Sequence, residues 1–87
     1  MNAMEKYEEL RNACEQASHA FQKLNDPKYN EIREKLDFCV GSYDYDKNPS
    51  GLIAYGKMAL AGLREAKTRY PRKFNKKIID NLEKVLS

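Results

Sequence analysis

The residues best able to do chemistry are crowded into two short stretches. In the first, Asp44, Asp46 and Asn48 set three oxygen-bearing side chains at alternate positions. That is the spacing of the first, third and fifth ligands of a calcium loop. The pattern then fails. Such a loop needs glycine at its sixth position for a sharp turn and a bidentate glutamate at its twelfth, and this chain has Pro49 and Tyr55 there. An exposed loop over residues 41–48, with Asp46 or Asn48 capping a following helix, is the simpler reading. Tyr43 and Tyr45 on that stretch are candidates for contact with a partner, or for packing over one end of the fold. His19 lies beside Ser18 and Ala20, roughly off the apolar stripe, and a lone histidine of this kind without an evident nucleophile reads as a surface or boundary residue. The chain holds no glycine-rich phosphate cradle, Cys-x-x-Cys pair or His-Glu-x-x-His helix. No enzymatic activity, cofactor or metal is therefore expected.

The second stretch is basic. Residues 57–77 carry Lys57, Arg64, Lys67, Arg69, Arg72, Lys73, Lys76 and Lys77 against Glu65 alone, a local net charge of +7 in a chain of net +3. Arg64, Lys67 and Arg69 would sit in the last turns of a helix, where cations suit the carbonyl end of the helix dipole. Lys73, Lys76 and Lys77 would open the next helix, where the dipole opposes them at a few tenths of a kcal/mol per residue. An unfavourable placement hints at a use for the charge, although solubility alone would also account for it. Nucleic acid, an anionic membrane surface and an acidic protein are the candidate partners. Asn75 and Asn81 are the sole candidates in the last helix for reading bases. Any nucleic-acid binding is therefore expected to be weak, salt-sensitive and indifferent to sequence.

Proline punctuation sets the elements that must carry these residues. Asp26-Pro27 and Asn48-Pro49 each place a capping side chain directly before a proline, and Pro71 interrupts the basic stretch. The four segments so delimited have the spacing of amphipathic helices, over about 3–24, 27–40, 49–70 and 72–86. Met4, Tyr7, Leu10, Cys14, Ala17, Phe21 and Leu24 make the inner stripe of the first. Tyr29, Ile32, Leu36, Cys39 and Val40 make that of the second, with Gly41 as its C-terminal cap. Leu52, Ile53, Gly56, Ala59, Leu60, Leu63 and Ala66 line the third. Phe74, Ile78, Leu82, Val85 and Leu86 line the fourth, with Ile79 flanking. Interior glycines in the third segment each cost about 1 kcal/mol against alanine, so a neighbouring helix is expected to approach closely there. The predicted architecture is all-α, an antiparallel up-down four-helix bundle in a single domain. Cys14 and Cys39 fall on apolar faces and are expected as buried free thiols. No apolar run approaches the roughly 20 residues that span a bilayer, and no basic start precedes an apolar stretch. A cytosolic protein is expected.

Asp26-Pro27-Lys28-Tyr29 opening a short second helix, Asn48-Pro49-Ser50 with Leu52-Ile53 opening a third, and Ile79-Asp80-Asn81-Leu82 in a fourth resemble the enterocin A immunity family. The resemblance runs from about Ala17 to Leu86. It implies an antiparallel four-helix bundle that protects a cell from pediocin-like bacteriocins by binding, without turnover. The implied partner is the complex of the bacteriocin with its receptor, the membrane part of a mannose phosphotransferase permease, met from the cytosolic side. Peripheral membrane association is compatible with that role. Partner choice in the family is attributed to the C-terminal half, which here holds the basic stretch. Many members carry a tail beyond the fourth helix that packs back on the bundle, and the resemblance here extends only to the fourth helix.

Overall fold

The computed structural model describes the backbone from Ala3 to Leu86 and side chains from Lys6 to Leu86. Among these residues lie four α-helices and one short 3-10 turn. Helix α1 spans Ala3–Leu24. It buries Leu10, Cys14, Ala17, Phe21 and Leu24, as the three-and-four spacing predicts, and Ala13 and Ala20 widen the stripe. Met4, expected on the same stripe, lies outside the residues whose side chains are described. The helix ends at Asn25, whose φ of 52° is the left-handed conformation that asparagine tolerates better than most residues.

The carboxylate of Asp26 then accepts the N–H of Lys28 at 3.0 Å, and Pro27–Tyr29 forms a single 3-10 turn. Helix α2 follows over Asn30–Asp46. It runs past Gly41, which is no cap: its φ is not positive, and α2 continues through most of the stretch expected to be a loop. The left-handed residue that ends α2 is Lys47, with φ 60°, whose N–H donates to the Tyr43 carbonyl at 2.7 Å. The reason lies in the core. Carrying the helix through Gly41 costs about 1 kcal/mol against alanine. It also places Tyr43 in the interior at 1 % exposure, and burying a large side chain contributes about 1.5–3 kcal/mol.

Asn48 accepts the N–H of Ser50 at 3.0 Å, and helix α3 spans Ser50–Arg69 with Pro49 in the cap position, one residue later than the sequence suggests. Helix α4 spans Lys76–Leu86, starting four residues later than expected. Residues 71–74 form a turn that tucks Phe74 into the core. Asn75 then accepts the N–H of Lys77 at 2.9 Å and acts as the cap. Asn75 is thereby occupied in holding its own helix start. Within α4, Ile79, Leu82 and Val85 are buried, and Ile78 is half-buried at the edge facing α1. The inward and flanking isoleucines are thus the reverse of the expected pair.

Consecutive helices run antiparallel. Arg11 near the start of α1 pairs with Asp44 near the end of α2, and the 3-10 turn before α2 meets Glu65 near the end of α3. Leu86 at the end of α4 lies over Gly56 in the first half of α3. Helix α1 packs on α2, α3 and α4 alike, so it and α3 form the centre of the bundle. The glycines of α3 explain how. A Cβ on Gly56 would stand 3.6 Å from both Cys14 Sγ and Leu10 Cδ1, and one on Gly62 would stand 3.2 Å from Phe21 Cζ. The missing side chains let α1 settle directly onto α3, which offsets their helix-propensity cost.

Candidate functional site

The up-down arrangement brings four termini to one end of the bundle: the last turns of α1 and α3 and the first turns of α2 and α4. The seven basic residues singled out in the sequence are carried by the end of α3, the turn and the start of α4. They divide into two groups. Arg64, Lys67 and Arg69 have internal partners. The Arg64 guanidinium lies 2.9 Å from Glu83 on α4. The Lys67 ammonium donates to the carbonyl oxygens of Pro71 and Phe74, both at 2.7 Å, and lies over the Phe74 ring. Those carbonyls belong to the α3–α4 turn, where no helical N–H can reach them, so one side chain holds the turn in shape.

Arg69 belongs to a polar network that ties the α1–α2 turn to the end of α3. Its guanidinium sits 3.5 Å from Asp26 and donates to the Tyr29 hydroxyl at 3.5 Å. The Tyr70 hydroxyl donates to the same Asp26 oxygen, Oδ2, at 2.8 Å. Lys28 and the Tyr29 hydroxyl both donate to Glu65. These bonds fix the charge states. The Lys28 backbone N–H, then the Tyr70 hydroxyl, hold the Asp26 carboxyl below its ordinary value. The Lys28 ammonium does the same to Glu65. The hydrogen bond to Asp26 pushes the Tyr70 hydroxyl up, and the bond to Tyr29 raises Arg69.

Arg72, Lys73, Lys76 and Lys77 form the second group. All four are exposed, and none has a carboxylate within ion-pair distance among the described residues. They occupy six consecutive positions around the capped start of α4. Elsewhere, Arg11, Lys28, Arg33, Lys35 and Lys47 each have a carboxylate partner. The opposite end of the bundle gathers Glu8, Asp44 and Asp46 near Arg11 and Lys47. No protein family, curated protein or solved structure matches this chain. The reading of the site therefore rests on its own geometry.

The stretch that resembled a calcium loop is committed to other bonds. Asp44 takes a two-pronged contact from Arg11, at 3.0 and 2.9 Å, which holds its carboxyl below the usual range. Asp46 accepts the Asn48 N–H and Asn48 that of Ser50. Among the described residues no group of three His, Cys, Asp or Glu side chains is placed to hold a metal. Of the two tyrosines read there as loop contacts, Tyr43 lies in α2 and is buried. Its hydroxyl donates to Glu8 at 3.4 Å, so it offers no partner surface. Tyr45, two residues on and on the outer face, is 91 % exposed.

His19 is exposed and lines a groove of about 260 Å³ with Lys23, Phe74 and Ile78. Cys14 and Cys39 are buried free thiols, and burial pushes Cys14 up to about 12. One exposed aromatic was not singled out in the sequence. Phe38 on α2 is 76 % exposed and walls a groove of about 420 Å³ with Glu31, Glu34, Lys35 and Tyr55. Its absence from the Leu36, Cys39, Val40 stripe is the signal that could have revealed it. Among the described residues no helix is long and apolar enough to cross a membrane.

Proposed function

We propose that this chain is a non-enzymatic binding protein that acts through the basic end of its bundle, and that it is a bacteriocin immunity protein. In this reading it protects a cell from pediocin-like bacteriocins by engaging the toxin–receptor complex at the cytosolic side of a mannose phosphotransferase permease. The observation that carries the binding role is the set of four cations, Arg72, Lys73, Lys76 and Lys77, left without carboxylates among the described residues beside three neighbours that have partners. The helix punctuation at Asp26-Pro27 and Asn48-Pro49, where each carboxylate or amide oxygen accepts a backbone N–H two residues on, is the feature on which the resemblance to the immunity family rests.

Expression in a bacteriocin-sensitive strain tests it. The dose needed to kill should rise, and reversing Arg72, Lys73, Lys76 and Lys77 to Glu should remove the protection while circular dichroism stays helical. Unchanged sensitivity to a broad panel of pediocin-like peptides would refute the immunity role. Binding to nucleic acid is the second reading, favoured by the same uncompensated charge. A gel-shift titration at low and moderate salt tests it, and no shift even at low salt would remove the nucleic-acid reading.

A further inference from the structure

We propose that the basic end docks, tip first, on an anionic lipid surface, with Arg72, Lys73, Lys76 and Lys77 meeting the headgroups and the bundle axis standing off the bilayer. The proposal rests on the reading of this end as a binding surface and names its partner. Three observations carry it. The four cations occupy one turn and the start of one helix, exposed and without carboxylates among the described residues. Their backbone is held in place: Lys67 ties together the carbonyls of Pro71 and Phe74, Phe74 is buried, and Asn75 caps α4. The cations are therefore presented together from a fixed turn.

The third observation is what the tip lacks as a reader of anything more detailed. Arg69 is held by Asp26 and Tyr29, Arg64 by Glu83, and Asn75 by its own helix, which leaves one arginine, Arg72, and three lysines as the free donors at the tip. The large exposed apolar side chains, Phe38, Tyr45 and Met58, lie on α2 and α3, away from these four positions. Stacking on unpaired bases therefore has no platform at the tip. What remains is delocalised positive charge on a blunt end, which suits a flat field of phosphate headgroups. At the far end Arg11 and Lys47 are paired with Asp44 and Glu8, so no comparable set of free cations competes there for an anionic surface among the described residues.

Co-sedimentation of the full chain with vesicles is the test. Vesicles of zwitterionic lipid alone are compared with vesicles containing about a third phosphatidylglycerol, at low and moderate salt. Binding is expected on the anionic vesicles only, and it should fall steeply with salt. Each basic residue near such a surface contributes about a fivefold change in partitioning. R72Q/K73Q/K76Q/K77Q should therefore lose binding by at least a hundredfold. K6Q/K47Q/K57Q/K84Q removes the same charge elsewhere and should lose less than tenfold. Equal losses in the two variants would overturn the proposal, because net charge and not the tip would then be responsible. So would absence of binding at low salt, or a preference for duplex DNA over anionic vesicles in direct competition. Protection in cells is scored separately. Absence of vesicle binding by the unaltered chain with protection intact overturns the lipid proposal alone, and vesicle binding without protection overturns the immunity reading alone.

Discussion

The ammonium of Lys67 lies 2.7 Å from the carbonyl oxygen of Phe74, seven residues further on. This bond and its twin to Pro71 close the α3–α4 turn from the inside. Lys67→Met keeps the aliphatic stem and removes the donors. It should destabilise the fold by about 1–2 kcal/mol, the usual scale for a charge-assisted hydrogen bond lost at a partly buried acceptor. Urea unfolding followed by circular dichroism measures this. An unchanged midpoint would mean that Phe74 and Asn75 hold the turn without the clamp.

The glycines of α2 and α3 make opposite predictions. Gly41 has open space where a Cβ would go and lies inside a helix with ordinary φ. Gly41→Ala should therefore stabilise the chain by about 0.5–1 kcal/mol. A left-handed cap at that position would give the reverse sign. At Gly51 a Cβ would meet Cys39 Sγ at 2.9 Å, too close without movement of the buried thiol. Gly51→Ala should lower the thermal midpoint, and the two variants side by side in one melting experiment provide the check.

Acid should weaken the protein through three named carboxylates. Asp26, Asp44 and Glu65 are each held below their ordinary values by hydrogen bonds present only in the fold. A depressed native carboxyl contributes stability that is fully present above its unfolded value, near 4. That contribution is lost as pH falls through the lower native value. The melting temperature should therefore drop on acidification from about pH 5 to pH 2. D26N/D44N/E65Q should show a flatter acid limb and a lower plateau at neutral pH. A parallel acid limb in this variant would place the titration elsewhere.

Leu36 and Phe38 are two residues apart on α2 and face opposite ways, one at 0 % and one at 76 % exposure. Leu36→Ala should cost about 2–5 kcal/mol by emptying a packed site. Phe38→Ser should change stability by less than about 0.5 kcal/mol. Chemical denaturation of both variants tests the rotational setting of α2.

Much of this was legible before any coordinates. The four apolar stripes, the Asp26 and Asn48 helix-start signals and the +7 stretch are local patterns, and local patterns survive folding. What was hidden depends on neighbours distant in sequence. Gly41 reads as a helix end until the interior is seen to accept Tyr43. Lys47 could not be guessed as the true end, because a left-handed lysine has no sequence signature. The start of α4 was misplaced because Pro71 is a louder signal than Asn75, yet Asn75 does the capping. The division of the cations was equally invisible. Arg64 is matched by Glu83 and Arg69 by Asp26, nineteen and forty-three positions away, while Arg72 and Lys73 have no such counterpart among the described residues.

The concentration of uncompensated charge at one end has a kinetic consequence. A body with free cations at one pole and paired charges at the other experiences a torque in an external potential. It turns before it touches. Near a negatively charged object the molecule should arrive already oriented, so fewer collisions are wasted on the wrong face. The gain in encounter rate would shrink as added electrolyte shortens the reach of the field.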